Sequence, residues 1–221
     1  MLTIYTFVFG YVFASKWGGS TNTLEFSLVL FSGLICYTFF ADCINKSPLL
    51  IIANVNYIKK IVFPVVILPV VSVLSNAFNF FVGFIILELF FYINYGYVYI
   101  TSLFVPLVIL PLFLITLGLV YVISSAGVFL RDVSQTVGLF TSFLLFLSPI
   151  FYPASILPEK IRPYLFLNPL TFIIEQVRDV CIYGNQPAYF RLFIYYIISI
   201  GVLLFGIFLF KKLENEFADV L

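Results

Sequence analysis

Long apolar runs alternate with short polar stretches along this chain. A membrane-spanning helix needs about 20 apolar residues to cross the hydrocarbon core of a bilayer. The apolar run at residues 1–15 is shorter and is interpreted as the end of a first span. Complete spans are predicted at about residues 26–45, 63–92, 103–130, 136–152 and 192–210. We therefore expect an all-α polytopic membrane protein of about six transmembrane helices, organised as one domain over residues 1–221.

The composition supports this class and excludes several others. Of the 221 residues, 63% are hydrophobic and 10% are charged, and the mean hydropathy is +1.16, which leaves too little polar surface for a soluble globule. The net charge is +1 without a long basic run, so nucleic acid is not an expected partner. Histidine is absent and the three cysteines lack metal-ligand spacing, so no metal site is expected.

The sequence also contains no GxxxxGK[ST] phosphate-binding loop. We therefore expect this chain to bind no cofactor, and any ATP and Mg²⁺ to be held by a partner subunit.

Lysine and arginine near the ends of spans indicate orientation. The side that holds both predicted termini carries Lys46, Lys59, Lys60, Arg131, Lys211 and Lys212. The opposite side carries five such residues, four of which lie in or beside the long loop before the last span. This distribution predicts cytoplasmic termini.

The passage from residue 129 to residue 187 begins as a span and then breaks. It carries no charge from 133 to 158, but prolines interrupt it from residue 149 onward. These prolines are Pro149, Pro153, Pro158, Pro163 and Pro169. Broken backbone at membrane depth is tolerated where protein buries it or where it lines a wet pathway. The passage predicts a re-entrant segment between spans 5 and 6, and a protein that passes something across a membrane.

A short amphipathic helix is predicted at residues 170–183, inside this passage. Asn168 is a suitable N-cap, Pro169 fits the first turn, and Gly184 ends the helix. Its apolar face comprises Leu170, Ile173, Ile174, Val177 and Cys181.

The opposite face of that helix carries Glu175, Gln176, Arg178 and Asp179. Glu175 and Arg178 are three residues apart and can pair. These charges indicate either a solvated helix on the outer surface or the rim of a pathway, and the sequence leaves both open.

The loop at residues 47–62 predicts a second amphipathic helix. Ser47 is a candidate N-cap with Pro48 at the first helical position, and apolar residues recur at helical spacing. The helix is either a membrane-surface anchor or an element that docks into a cytoplasmic partner.

Isolated charges and small residues complete the pattern. Glu88 lies near the predicted outer end of its span, where reaching the interface costs little. The small residues 124–127 predict a close approach to a neighbouring helix. Tyrosines, among them Tyr95, Tyr97 and Tyr99, concentrate toward the outer side, as an aromatic belt or as rings that stack on sugars.

Four stretches of the chain together resemble a known family. They are LRDVSQ, SPIFYPASILPEKIRPYLFLNPLTFIIEQVRD, YGNQP and, in the inner loop, NVNYIKKIVFPVVILP. They resemble the permease subunit of type-2 ATP-binding cassette exporters, most closely the branch that exports O-antigen, capsule or teichoic acid. The resemblance covers nearly the whole chain. It implies a permease homodimer in the bacterial cytoplasmic membrane, two separate ATPase subunits, a lipid-linked polysaccharide substrate and no catalytic residue in this chain.

The resemblance also implies two functional regions. The ATPase-coupling helix would contain Leu49, Ile52, Asn54, Asn56, Lys59 and Lys60. The outer gate, or re-entrant segment, would contain Pro149, Tyr152, Pro153, Asn168, Pro169, Glu175 and Arg178.

One departure from the family concerns the start of the chain. Family members begin with a cytoplasmic amphipathic segment and a full first span, whereas this chain opens inside a span and is interpreted as shortened. A signal peptide is the competing interpretation of residues 1–15, although no basic segment precedes them.

Two alternative functions stay open. The first is export of a small drug-like or lipid molecule by the same family. The second is a membrane-embedded transferase that acts on lipid-linked sugars, for which few outer acidic residues are available.

Overall fold

A computed structural model describes residues 23–55, 64–130, 132–156 and 168–217, together with residues 158, 160 and 165. The described residues form α-helices and short 3₁₀ turns and contain no strand, which confirms the all-α prediction. The α-helices are α1 (Thr23–Lys46), α2 (Ile67–Tyr95), α3 (Val105–Phe129), α4 (Val133–Leu147), α5 (Pro169–Cys181) and α6 (Tyr189–Leu213).

Four helical stretches are long and apolar enough to cross a membrane. They are Leu24–Leu49, Ile67–Tyr95, Ile100–Phe129 and Tyr189–Glu216. Each corresponds to one of the predicted spans, and the chain is a multi-pass membrane protein. The predicted first span at residues 1–15 lies outside the described residues.

Helix α4 is apolar but has 15 residues, which corresponds to about 22 Å of helix. The sequence predicted a span that continues to residue 152, but α4 ends at Leu147. Pro149 lacks a backbone N–H and cannot extend the helical hydrogen-bond ladder.

The end of α2 also differs from its predicted position. The helix runs to Tyr95, three residues beyond the predicted end of its span. It stops because Gly96 adopts a left-handed conformation with φ of 78°, which glycine takes without steric cost.

Helices α2 and α6 expose large apolar side chains, which is unfavourable in contact with water. Phe78 on α2 is 70% exposed, and Phe190 and Phe208 of α6 are 76% and 66% exposed. Such faces are stable when lipid covers them.

The first of two compact units comprises the described residues within Met1–Thr38, Phe80–Ile109 and Leu144–Ala188. Helix α5 supplies much of its core, since Leu170, Ile173 and Ile174 are fully buried. The hydroxyl of Thr101, in the 3₁₀ turn Ile100–Phe104, donates to the Val180 carbonyl at 2.6 Å. This unit contains the predicted gate.

The second unit comprises the described residues within Phe39–Asn79, Leu110–Phe143 and Tyr189–Leu221. Its core is a cluster of buried side chains around Tyr121, whose hydroxyl donates to the Val66 carbonyl at 2.9 Å. The other members of the cluster are Ile51, Val65, Val128, Phe210 and Phe217.

Glycines bring backbones of the second unit together. A Cβ on Gly206 would lie 2.3 Å from the Gly118 carbonyl oxygen, so α3 and α6 pack closely there. A Cβ on Gly127 would lie 2.1 Å from the Pro48 carbonyl oxygen. The close approach predicted for residues 124–127 is therefore confirmed, with the segment that follows α1 as the neighbour.

Candidate gate and coupling regions

The start of α5 is capped as its sequence predicts. The Asn168 side-chain oxygen accepts from the Leu170 amide at 2.9 Å, and Pro169 occupies the first helical position. The Asn168 amide group also donates to the Ser148 hydroxyl at 2.8 Å, and that hydroxyl donates to the Leu144 carbonyl at 2.6 Å. A chain of three hydrogen bonds thus ties the start of α5 to the end of α4.

The far end of α5 turns sharply at Gly184, as predicted. Gly184 has φ of 68°, and the amides of Ile182 and Tyr183 donate to the Arg178 carbonyl. A Cβ on Gly184 would lie 2.5 Å from the Tyr99 ring, so both the backbone and the contact require glycine.

Arg178 is buried inside the first unit. The solvated helix surface, one of the two interpretations of the sequence, is therefore wrong for this residue. Its side chain is 3% exposed, and its guanidinium donates to three backbone carbonyls. These belong to Val29 at 3.1 Å, Pro149 at 2.6 Å and Ile150 at 3.3 Å. Arg178 therefore joins α5 to α1 and to the turn that follows α4.

Burial lowers the pKa of Arg178 from its ordinary value to about 10. Tyr183, Cys36 and Glu175 oppose this change electrostatically, in that order of size. A pKa of about 10 keeps the guanidinium charged at neutral pH. All of its hydrogen bonds are therefore of the charge-assisted type, which is stronger than the neutral type.

The solvated interpretation is also wrong for Gln176, which is 5% exposed. Its side-chain nitrogen donates to an Asp179 carboxylate oxygen at 3.1 Å, and its oxygen accepts from the Ala188 amide at 2.7 Å. The Asn185 side chain donates to the other Asp179 oxygen at 3.3 Å. This polar set fixes α5 to the segment that leads into α6. Glu175 is half-buried.

The remaining gate residues lie in the turn after α4. Pro149 contributes the carbonyl that Arg178 binds at 2.6 Å. The Tyr152 hydroxyl donates to the Phe146 carbonyl at 3.1 Å, and burial raises the pKa of that hydroxyl. The Pro153 carbonyl accepts from the Ile156 amide and begins the 3₁₀ turn Ala154–Ile156. Pro149, Asn168 and Arg178 thus belong to one hydrogen-bonded region. Tyr152 and Pro153 lie in the polypeptide segment that follows Pro149.

Glu88 is the residue whose setting the sequence did not indicate. Both carboxylate oxygens are buried, and neither has a hydrogen-bond partner among the described residues. Ser102 and Cys181 are its polar neighbours, and the Ser102 hydroxyl is likewise buried and unpartnered there. Glu88 lies seven residues, or about 10 Å, before the end of α2 at Tyr95.

Cys181, at the end of α5, shares this setting. Burial and the adjacent Glu88 raise the pKa of its thiol well above 9.0. Cys181 is a free, buried cysteine, and its thiol is unreactive while it stays in this environment.

The predicted coupling helix takes a different form in its described part. Residues Ser47–Leu49 and Ile52–Asn54 form 3₁₀ turns rather than an α-helix. The Ser47 hydroxyl donates back to the Ile44 carbonyl at 2.6 Å instead of capping a new helix. The Ser47 N-cap prediction is therefore wrong, because α1 passes into the turns without a break that would need a cap.

The predicted coupling residues of this segment divide into two sets. Leu49 and Ile52 are exposed, at 54% and 38%, and Asn54 donates from its side chain to the Leu50 carbonyl at 2.8 Å. Asn56, Lys59 and Lys60 lie outside the described residues.

Aromatic rings gather where α2 ends. The rings of Phe91 and Tyr95 stack with centroids 4.7 Å apart, and those of Tyr97 and Tyr99 meet edge to face at 5.2 Å. The hydroxyls of Tyr97 and Tyr99 lie 3.2 Å apart. Tyr97 is 47% exposed, so the cluster has an accessible surface that suits either of the two predicted uses.

Comparison with known proteins gives one family and several relatives. The model of the ABC-2 type transporter family matches residues 1–182. An O-antigen export system permease protein RfbA of Klebsiella pneumoniae is 28% identical, over 89% of this chain and 76% of its own length. A second Klebsiella pneumoniae protein of that name is 27% identical over the same shares. The Myxococcus xanthus protein of that name is 25% identical, over 90% of this chain and 77% of its own length.

Proposed function

Because the chain belongs to the ABC-2 type transporter family, we propose that it is the permease subunit of an exporter of lipid-linked polysaccharide. The polysaccharide is of the O-antigen, capsule or teichoic acid type, and the membrane is the bacterial cytoplasmic membrane. The observation that carries this proposal is the similarity to three proteins named O-antigen export permeases, which extends over 89–90% of the chain.

Family membership implies pairing with an ATP-binding subunit. In the proposed complex that subunit binds and hydrolyses ATP, and two copies of this chain form the pathway. No bond of the substrate needs to change during export. The chain then contributes spans that alternate between two arrangements, with both termini on the cytoplasmic side.

In this proposal, α5 and the turn after α4 form the outer gate. The support is the buried guanidinium of Arg178, which holds α5 against α1 and against the Pro149 and Ile150 carbonyls.

The proposed coupling region is the segment from Leu49 to Lys60. Its support is the close contact between Gly127 of α3 and the backbone of Pro48, the residue that directly precedes the segment. The start of the segment is therefore packed closely against a span. The exposed Leu49 and Ile52 provide apolar surface for a docked partner.

The proposal is tested by deleting this chain from its own bacterium and measuring polysaccharide on both sides of the membrane. Export by this chain predicts loss of surface polysaccharide and accumulation of the lipid-linked form inside the cell. Expression of the intact chain from a plasmid restores the surface polymer. Unchanged surface polysaccharide in the deletion strain would rule the proposal out.

A further inference from the structure

A cavity of about 270 Å³ lies within the second unit, where α1 ends and α2 begins. Its lining combines an ammonium, two hydroxyls and two amides with three apolar side chains, and the described lining contains no carboxylate. The lining residues are Lys46, Asn54, Ser72, Ser75 and Asn76, with Leu50, Leu68 and Val71.

The ammonium of this cavity is held in place by a buried side chain. Lys46 Nζ donates to Asn76 Oδ1 at 2.7 Å, and Asn76 is 3% exposed. Asn76 is fixed in turn, because its nitrogen donates to the Ser72 carbonyl at 2.9 Å. An ammonium has three N–H donors, so two are available to a ligand. The positive charge is therefore pre-positioned at the cavity.

An apolar ridge leaves the cavity along α2. Val71 lines the cavity and is 55% exposed, and it is followed by Leu74 at 62% and Phe78 at 70%. Their spacing of three and four residues places them on one face of the helix. A cationic, hydroxyl-rich cavity that opens onto an exposed apolar ridge matches an amphiphile with an anionic head and hydrocarbon chains.

We propose that this cavity binds the headgroup of an anionic phospholipid of the phosphatidylglycerol class, with an acyl chain along Val71, Leu74 and Phe78. The single charge of a phosphodiester matches the single Lys46 ammonium, whereas a pyrophosphate carries more charge than the described lining neutralises. The hydroxyls of Ser72 and Ser75 and the amide of Asn54 suit the polar glycerol head. The inference rests on the cavity alone and is independent of the export proposal.

The test uses the permease with its ATP-binding subunit, exchanged into nanodiscs of equal phosphatidylglycerol and phosphatidylcholine. Native mass spectrometry then counts the lipids that stay bound after release from the disc. We expect phosphatidylglycerol to be retained in preference, and Lys46→Gln to weaken that retention about tenfold, as the loss of one hydrogen bond between charged groups would.

Matched variants keep the test specific. Lys46→Arg preserves the charge and should preserve retention, and Lys212→Gln removes an exposed lysine of α6 and should leave retention unchanged. If Lys46→Gln fails to fold, Ser75→Ala serves instead, because Ser75 is exposed and its hydroxyl lines the cavity. It should reduce retention by a smaller factor.

Several results would overturn the proposal. These are equal retention of both lipids, equal retention by the intact chain and by Lys46→Gln, and equal loss in Lys212→Gln. Displacement of the bound lipid by millimolar inorganic phosphate would show a site for free phosphate. Retention of a lipid-linked pyrophosphate in place of phosphatidylglycerol would show that the lipid class is wrong.

Discussion

Arg178 and Glu88 are two ionisable residues whose polar atoms are buried in the same compact unit, yet they differ in their hydrogen bonding. The Arg178 guanidinium donates three hydrogen bonds of 2.6–3.3 Å. The Glu88 carboxylate has the Ser102 hydroxyl and the Cys181 thiol as polar neighbours, and neither of its oxygens has a hydrogen-bond partner of normal geometry among the described residues. A satisfied buried charge holds elements together, whereas an unsatisfied one raises the free energy of the arrangement that buries it. Arg178 is therefore an anchor of α5, whereas Glu88 is poorly paired in this arrangement.

The anchor depends on space left for it by α1. A Cβ on Gly33 would lie 2.9 Å from an Arg178 guanidinium nitrogen and 3.4 Å from Ile174. The absence of a side chain at Gly33 therefore lets the guanidinium reach the Val29 carbonyl.

Removing the anchor should have the largest effect. Arg178→Met keeps much of the apolar stem but leaves the carbonyls of Pro149 and Ile150 without their buried donor. Each such loss costs about 1–3 kcal/mol, so we expect the free energy of unfolding to fall by about 3 kcal/mol. The measurement is thermal unfolding of the purified protein, followed by its helical circular dichroism signal.

Arg191→Met is the control, because Arg191 is exposed at the start of α6. Arg178→Lys should recover part of the stability, since lysine keeps the charge but not the planar set of donors. If Arg178→Met is no less stable than Arg191→Met, Arg178 is not an anchor.

Replacing the unsatisfied charge should have the opposite sign. Glu88→Met fills a similar volume without a polar head, and burying a polar group without a good hydrogen bond costs about 1–3 kcal/mol. We expect a higher unfolding temperature in the same measurement. Glu216→Met, at an exposed position, is the control. A loss of stability comparable to that of Arg178→Met would mean that Glu88 has a stabilising partner in the folded chain.

Glu88→Met also separates stability from transport. If Glu88 gains partners in another state of the export cycle, the variant should be more stable and export less. Unchanged export would show that Glu88 lowers the stability of the fold but has no role in the export cycle.

Closing the space beside the anchor should have an intermediate effect. Gly33→Ala places a methyl group 2.9 Å from the guanidinium, and overpacking of this kind costs about 1–3 kcal/mol. Its control is Gly138→Ala, because a Cβ at Gly138 meets nothing within 4 Å. In the Arg178→Met background the Gly33→Ala cost should shrink, since the group it crowds is gone. Equal costs in both backgrounds would contradict the contact.

The smallest effect is expected at the cap of α5. Asn168→Ala removes the bond to the Leu170 amide and the bond to the Ser148 hydroxyl, and loss of an N-cap costs about 1 kcal/mol. A double-mutant cycle with Ser148→Ala, measured by thermal unfolding, gives the coupling free energy between Asn168 and Ser148. Strictly additive effects would show that the Asn168–Ser148 bond contributes nothing.

The sequence predicted what depends on local chemistry. Asn168, Pro169 and Gly184 bounded α5 correctly, because capping and left-handed turns are set by neighbouring residues. The cluster of small residues at 124–127 likewise predicted a close approach there. The spans were predicted from apolar length alone.

What depends on distant neighbours was not predicted. The polar face assigned to α5 left Arg178 either in water or at the rim of a pathway. Arg178 nevertheless lies four residues after Ile174 and three before Cys181, both on the apolar face. That position was a usable signal for burial. The three carbonyls that accept its bonds come from residues 29, 149 and 150, which no periodicity in α5 reveals.

Glu88 was missed for a different reason. Its place in an apolar run of α2 shows no charged partner at helical spacing. Its neighbours Ser102 and Cys181 come from other parts of the chain.

The export claim is tested most directly by transport in a defined membrane. The permease and its ATP-binding subunit are reconstituted into liposomes that carry the native lipid-linked polysaccharide on the outer leaflet. Appearance of the polymer inside, protected from an added glycosidase, is then followed with ATP present. Export by this chain predicts ATP-dependent protection that is absent when the ATP-binding subunit carries an inactivating substitution. A folded complex that hydrolyses ATP but protects no polysaccharide would contradict it.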